Sequence, residues 1–162
     1  MKDLSMHLMD IAQNSVVAGA NKISINIQVC EIPQVLYFEI IDDGKGMEKE
    51  FLDRVTDPFK TTRTTRAVGL GIPLLKQSAE MAGGGLRIYS EPGKGTNLQA
   101  SFIVNHIDRI PLGDVPGTLT LLISANKNIS WIIEFKCRNE NFVLDTDQIN
   151  KVLNGVPIDN NN

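Results

Sequence analysis

Small and apolar residues recur at helical spacing over residues 4–18, which predicts that the chain begins with a helix. Asp3 is placed to cap the start of this helix and Gly19 to end it. Asp10 and Asn14 are four residues apart, so their side chains lie on one face, beside the apolar stripe. Polar groups at the edge of a buried face are typical of a site wall. His7 falls on the same helix edge, and we interpret it as an edge residue near that wall.

The pattern then changes to strands and shorter helices. Alternation of apolar and polar residues over 23–29 and a more apolar run over 36–41 predict two strands, joined by a hairpin at 31–34. The same reasoning predicts a short helix at 48–55, a helix at 72–82, a strand at 86–90 and a strand at 96–104. Residues 57–68 are polar, rich in threonine and basic, which is typical of a mobile loop.

The last third of the chain carries weaker patterns. Residues 105–116 contain two prolines and one glycine and read as a connector. Beyond it we expect a helix or a strand at 117–125, with a helix favoured, then strands at 131–137 and 142–144. A final helix capped by Thr146 and a disordered tail complete the prediction. We therefore divide the chain into a domain at 1–104 and a C-terminal appendage at 105–162, which by default packs on the sheet. Covering a sheet edge, forming a dimer surface and recognising a partner remain open for it.

Composition narrows the class of protein. The 162 residues are 42% hydrophobic and 22% charged, which excludes disordered and fibrous classes. A net charge of −3 and a pI of about 5.4 are not those of a general nucleic-acid binder, so we expect no nucleic-acid partner.

The cysteines and the chain's hydropathy bear on its location. Cys30 and Cys137 are far apart in sequence and lie in apolar, strand-like stretches, so we expect buried free thiols in a reducing compartment. The N-terminus shows no apolar signal region, and no apolar run approaches the ~20 residues of a membrane helix. We therefore predict a cytoplasmic protein with no membrane partner.

Three short segments carry candidate chemistry. Asp42-Asp43-Gly44-Lys45-Gly46 follows a strand, and its glycines let a ligand approach the backbone. Gly69-Leu70-Gly71 opens a helix, whose free N–H groups attract phosphate. On the first helix, the carboxylate of Asp10 and the amide oxygen of Asn14 are hard oxygen ligands of the kind Mg²⁺ prefers. Taken alone, each segment is also typical of an ordinary structure: a turn for the first, a turn with a helix cap for the second, and a helix face without a ligand for the third.

The order and spacing of these segments resemble the GHKL ATPase superfamily over about residues 4–104. Residues 14–20, Asn-Ser-Val-Val-Ala-Gly-Ala, followed by a strand pair and residues 42–47, are similar to mismatch-repair ATPases of the MutL type. Residues 58–62, Pro-Phe-Lys-Thr-Thr, together with Gly69-Leu70-Gly71-Ile72 and Ser90-Glu91-Pro92-Gly93-Lys94-Gly95-Thr96, are similar to the ATP-binding domain of sensor histidine kinases. The resemblance implies an α/β fold: a two-layer sandwich of a mixed sheet with helices on one face, binding ATP and Mg²⁺ between the helices and a lid.

The resemblance also implies residue roles around the base and the metal. Asn14 matches the Mg²⁺-binding asparagine, and Asp10 matches a position usually held by a glutamate that activates water. Asp42 matches the aspartate that accepts a hydrogen bond from the adenine amino group. Thr96 matches a threonine in the water network beside the base. Gly44, Gly46 and Met47 match the loop beneath the base.

Further roles implied by the resemblance concern the phosphates. Gly69, Leu70 and Gly71 match the second glycine motif, at the phosphates. Lys60, Arg63 and Arg66 have no strict equivalents, so they are candidates for phosphate contacts from the lid.

Two departures from the family pattern matter. Asp10 is one methylene shorter than the usual glutamate, which puts direct activation of water in doubt. Only nine residues precede Asp10 in the sequence, so we expect no helical phosphoacceptor domain of the kind that a full histidine kinase carries upstream.

Three functions are compatible with these motifs. The leading hypothesis is a histidine-kinase-type module that transfers the γ-phosphate of ATP in trans to a partner protein. The alternatives are an ATPase whose nucleotide cycle drives a conformational or dimerisation switch, and a nucleotide sensor without turnover. The motifs leave open the identity of the phosphoacceptor and whether the protein forms an oligomer.

Overall fold

The secondary structure follows the predicted order closely. The structure, a computed structural model, describes residues 1–55 and 70–153. The helices are α1 (Leu4–Val17), α2 (Lys49–Val55), α3 (Gly71–Met81), α4 (Val115–Ala125) and α5 (Thr146–Leu153). The strands are β1 (Lys22–Glu31), β2 (Gln34–Asp42), β3 (Gly85–Glu91), β4 (Gly95–Ile103), β5 (Ser130–Cys137) and β6 (Glu140–Asp145). The mixed α/β prediction is confirmed, and the ambiguous segment at 117–125 belongs to a helix.

Local side-chain chemistry explains where the helices begin. The Asp3 carboxylate accepts a hydrogen bond from the backbone N–H of Met6, 3.0 Å away, and so satisfies a free donor at the start of α1. Asp114 does the same for α4 by accepting from the N–H of Gly117, and Pro116 sits in the first turn, where its missing N–H costs nothing. This cap and proline decide in favour of a helix where the apolar pattern alone was ambiguous.

The six strands form one mixed sheet in the order β3-β4-β2-β1-β5-β6. Neighbouring strands are antiparallel except β1 and β5, which run parallel. The segment after residue 104 therefore extends the same sheet and contributes Trp131 and Ile133 to its buried core. The division of the chain at residues 104 and 105 stays a prediction.

One face of the sheet is apolar and packs against helices. Ile25, Ile40 and Leu98 lie side by side on β1, β2 and β4, and all are almost completely buried. They face a helical layer in which α1 packs against both α3 and α4. The opposite face of the same strands carries polar groups, including a Glu39 carboxylate that accepts hydrogen bonds from Asn26 and Gln99. In this arrangement, the described residues of the three candidate segments lie at one end of the face that the helices cover.

Three sequence predictions about single residues are wrong. Cys30 and Cys137 are free, but they are partly buried and exposed respectively, because both lie near the end of their strands. Thr146 does not cap α5; the Asp145 carboxylate accepts from the N–H groups of Asp147 and Gln148 instead. The Thr146 hydroxyl bonds the backbone of Trp131 and ties the helix to β5.

His7 also departs from its prediction, since it is completely buried rather than at a helix edge. Its Nε2 lies 3.3 Å from the Ser78 hydroxyl on α3, and its Nδ1 has no hydrogen-bond partner within residues 1–55 and 70–153. Burial, helped by the positive N-terminus, lowers the pKa of His7 to about 4. The imidazole is therefore neutral at pH 7.

The buried His7 should make stability depend on pH. In the unfolded chain this histidine titrates near pH 6.5, so the unfolded state binds a proton more readily than the folded state does. The neutral, buried His7 therefore makes its full contribution to the free energy of unfolding above pH 6.5, and this contribution is lost as the pH falls towards 4. From pH 7 to pH 5 we expect wild type to lose about 2 kcal/mol more free energy of unfolding than His7→Met. Urea unfolding measures this, with the partly exposed His106→Gln as control; parallel losses in wild type and His7→Met would contradict the assignment.

Candidate functional site

A cavity of about 410 Å³ opens between α1, the end of β2 and the start of α3. Its size falls within the ordinary range of small-molecule sites. The walls are mainly apolar, with a few polar side chains among them. The lining residues are Ile11, Asn14, Ser15, Val17, Ala18, Ile40, Asp42, Lys45, Gly46, Met47, Glu48, Phe51, Ile72, Thr96 and Leu98. Apolar walls with a few polar groups suit an apolar ring that carries hydrogen-bonding groups.

Asp42 is the buried acid of this cavity. One carboxylate oxygen accepts a hydrogen bond from the Ser15 hydroxyl at 2.6 Å, and the other accepts from the Gly44 N–H at 2.9 Å. These two donors fix the plane of the carboxylate, and each oxygen keeps a further lone pair for a ligand. Asp42 is the last residue of β2, so its backbone is held by the sheet. The arrangement can read a ligand that donates hydrogen bonds.

The loop after Asp42 is held against the β3–β4 turn. Gly46 has a φ of +67°, and a Cβ there would lie 1.9 Å from the Glu91 carbonyl oxygen, so only glycine fits without displacing the backbone. The Met47 N–H donates to the Ser90 hydroxyl at 2.9 Å. Ser90 also lies 2.9 Å from the Thr96 hydroxyl, and Thr96 lies directly opposite Asp42 on β4. The turn therefore fixes one wall of the cavity.

Asn14 and Asp10 lie one turn apart on α1. The Asn14 side chain lines the cavity, and its buried Nδ2 has no hydrogen-bond partner in the described chain. Asp10 lies one turn further from the cavity, and its buried Oδ2 has no hydrogen-bond partner among the residues that the structure describes. Burial raises the pKa of the Asp10 carboxyl above its ordinary value. Unpaired buried polar atoms are unusual, and they mark this helix face as one built to meet a ligand.

Asp10 and the start of α3 are in direct contact. A Cβ at Gly71 would lie 1.6 Å from Asp10 Oδ2, so the glycine lets the helix begin against the carboxylate. The residue before it, Leu70, gives this helix no side-chain cap, which leaves its first N–H groups available. The acid of α1 and the anion-attracting end of α3 therefore share one corner of the site.

Replacing Gly71 with alanine tests this contact. We expect Gly71→Ala to destabilise the protein by about 1–3 kcal/mol, because the new methyl group overlaps Asp10. In an Asp10→Ala background the same change should cost little, since the overlap is gone and alanine favours helix. Urea unfolding of wild type, both single variants and the double variant measures the coupling. Equal costs in both backgrounds would show that Gly71 does not press on Asp10.

The structure brings most of the predicted site residues together. Asn14, Asp42, Gly46, Met47 and Thr96 line the cavity, and Gly44 bonds Asp42. Asp10 and Gly71 meet in the adjoining corner, and Leu70 is exposed beside them. Lys60, Arg63, Arg66 and Gly69 lie outside the described residues. Their roles, like those of the other site residues, remain predictions.

The sequence analysis did not identify two residues of the site, Ser15 and Ser90. Ser15 was counted as a small residue of the buried stripe, but its hydroxyl orients Asp42. Ser90 was read only as part of a motif, although it links Met47, Thr96 and the Gly95 carbonyl. Their signal in the sequence is weak, because a serine in a buried helix face or at a strand end is common.

Residues 2–106 match the family model described as histidine kinase-, DNA gyrase B- and HSP90-like ATPase. The chain belongs to this family, whose domains bind ATP. The match begins and ends close to the limits predicted from the motifs, residues 4 and 104.

Curated relatives include several sensor kinases. The chain is 26% identical to the sensor histidine kinase ZraS of Escherichia coli over 68% of its length, and 26% identical to sporulation kinase D of Bacillus subtilis over 60%. It is 29% identical to the non-motile and phage-resistance protein of Caulobacter vibrioides over 63%. The chain spans only 13–23% of the length of these relatives.

A solved structure confirms the fold. The crystal structure of the N-terminal domain of a DNA repair protein superposes with a TM-score of 0.58 at 14% sequence identity. The match covers 90% of this chain and 53% of that one, so it extends beyond residue 106. Across residues 1–55 and 70–153, no helix has the length and apolar character that crossing a bilayer requires.

Proposed function

We propose that this protein binds Mg-ATP in the 410 Å³ cavity and transfers the γ-phosphate in trans to a partner protein. The observation that carries the proposal is the fixed Asp42 carboxylate inside an apolar slot. Membership of an ATP-binding family agrees with it.

Asp42 and the apolar walls of the cavity would hold the base of the nucleotide. The exocyclic amine of adenine donates hydrogen bonds, and a carboxylate fixed by Ser15 and Gly44 can accept one without reorganising. Guanine carries a carbonyl oxygen at the same ring position, which a carboxylate repels. Ile40, Ile72 and Leu98 supply the apolar walls that a planar base needs. The site therefore favours adenine over guanine.

The metal and phosphates belong at the α1–α3 corner. No group of three or more acidic, histidine or cysteine side chains in the described chain could hold a metal by itself. Mg²⁺ usually keeps its waters and bridges phosphates through one or two protein oxygens, and the side-chain oxygen of Asn14, at the cavity wall, would supply one. When bound, the ion neutralises phosphate charge and orients the γ-phosphate. The uncapped start of α3 adds N–H donors to the same corner.

The names of the relatives and the position of Asp10 support the proposed phosphotransfer to a partner. Two of the relatives are named as kinases, one of them a sensor histidine kinase. We propose that Asp10, whose carboxyl pKa is raised by burial, orients the incoming acceptor or water beside Gly71.

Radiolabelled ATP distinguishes the outcomes. Incubating the full chain with [γ-³²P]ATP and an extract of its own cells should label a second protein. Label in wild type but not in Asn14→Ala supports transfer in trans. Release of inorganic phosphate without labelled protein contradicts it.

The buried Asp10 carboxylate favours a second function, an ATPase that drives a conformational switch. Its unpaired Oδ2 beside the α3 N-terminus is placed to take a proton from water. If the protein hydrolyses ATP through Asp10, steady-state phosphate release should fall by about 100-fold in Asp10→Asn while ATP affinity changes little. Phosphate release at background in wild type would exclude the switch.

A further inference from the structure

The outer edge of β6 is an unpaired strand edge outside the nucleotide site. β6 pairs with β5 on one side, and in the described part of the chain no strand pairs with its other side. Phe142 and Val143 project to opposite faces of this strand and are 56% and 53% exposed. Charged side chains, which normally protect an exposed edge, stand only at its two ends, Glu140 and Asp145. Such an edge is a template for another strand.

The β5–β6 hairpin decides which backbone groups are free. Its loop is the two residues Arg138 and Asn139, and its closing pair is Cys137 with Glu140. In a hairpin of this length the closing pair exchanges both backbone hydrogen bonds, and hydrogen-bonded pairs then alternate along the strands. The backbone groups of Asn141, Val143 and Asp145 therefore point away from β5.

We propose that two copies of this chain pair through their β6 edges, antiparallel, with Val143 of one copy opposite Val143 of the other. This register places the outward-facing groups of Asn141 opposite those of Asp145 of the second copy, so every outward donor meets an acceptor. The sheets of the two copies then form one continuous sheet across a two-fold axis.

Side chains in this register are complementary. Phe142 lies opposite Leu144 of the second copy on the helix-covered face, which pairs an aromatic with an aliphatic residue. On the other face, the Asn141 amide can donate to the Asp145 carboxylate of the second copy. Shifting the register by one residue would place the carboxylate of Glu140 opposite that of Asp145, and like charges directly opposite are destabilising. It would also place residues with outward-facing backbone groups opposite residues whose backbone groups face β5. The strand is therefore complementary to a second copy in this register and is not complementary in the register shifted by one residue.

The β6 edge is distant in the sheet order from β4 and β3, which support the nucleotide cavity. Pairing should therefore be independent of ATP. A single strand pair buries less than the ~1,200 Å² of a stable interface, so we expect dimers only at high micromolar concentration. The experiment needs no nucleotide, which separates its failure from failure of the proposed function.

Sedimentation equilibrium of the full chain without nucleotide tests the dimer. Between about 10 µM and about 1 mM, the mean mass should rise from 17.9 kDa towards about twice that value. Val143→Pro removes the central outward N–H while leaving the β5–β6 ladder intact, so it should stay monomeric. Val143→Thr keeps that N–H and should dimerise within about threefold of wild type. Leu121→Lys, which changes an exposed apolar residue on α4, is the control for loss of surface hydrophobicity.

Hydrogen exchange gives the register. With rising concentration, the amides of Asn141, Val143 and Asp145 should gain protection, and those of Phe142 and Leu144, already bonded to β5, should change little. A mass of 17.9 kDa at every concentration overturns the proposal. Dimerisation of a folded Val143→Pro variant as strong as that of wild type also overturns it, because the contact would then lie elsewhere.

Discussion

Replacing Asp42 with asparagine should weaken ATP binding by roughly 100-fold or more. The asparagine oxygen can still accept from Gly44 or Ser15, so the loop keeps its geometry. The amide nitrogen of the asparagine then occupies the place of the carboxylate oxygen that would accept a hydrogen bond from the adenine amine. Two hydrogen-bond donors therefore face each other. Isothermal titration calorimetry of both proteins with Mg-ATP measures the loss.

Asp108→Asn is the matched control, because it makes the same chemical change at an exposed position of the connector after β4. It should bind Mg-ATP like wild type. A thermal melt of Asp42→Asn close to that of wild type separates lost recognition from lost folding. Unchanged affinity in a folded Asp42→Asn variant would remove this carboxylate from the binding site.

Replacing Asn14 with alanine should have the second largest effect. If the amide oxygen is a ligand of the nucleotide-bound Mg²⁺, its loss should weaken Mg-ATP binding by roughly 10–100-fold. Affinity measured in EDTA should change much less, because the base still meets Asp42. Titrations with and without Mg²⁺ therefore measure the metal contribution directly.

Gln13→Ala controls for helix content and surface change, since Gln13 is the exposed neighbour of Asn14 on α1. Removing Asn14 also removes an unpaired buried amide nitrogen, so the variant should fold at least as stably as wild type. Equal losses of affinity in the presence and absence of Mg²⁺ would mean that Asn14 contacts the nucleotide and not the ion.

The fold was predictable where local spacing carries the information. Alternation of Ile23, Ile25 and Ile27 with polar residues defines β1, and the Asp3 cap defines the start of α1. The parallel pairing of β1 with β5 was not predictable, because the paired residues Lys22 and Ser130 are too far apart in the sequence for a periodic pattern to connect them. His7 was misread for a related reason, since its burial is decided by the docking of α3 onto α1.

The site was predictable as a set of motifs but not as a geometry. The spacing of the glycines indicated that Asp42 and Gly71 belong to a site, because glycine allows a ligand to approach the backbone closely. Spacing could not show that Gly71 is packed against Asp10, or that the Ser15 hydroxyl holds Asp42. Both contacts join residues from different elements, and only the assembled sheet and helix layer bring them together.

Calorimetric titration of the wild-type chain with ATP and with GTP, each with Mg²⁺, tests the central claim most directly. A single site that binds ATP at least about tenfold more tightly than GTP is the predicted result, since the Asp42 carboxylate accepts from adenine and repels the guanine carbonyl. No heat of binding with ATP at millimolar concentration, or equal affinity for the two nucleotides, would contradict the account.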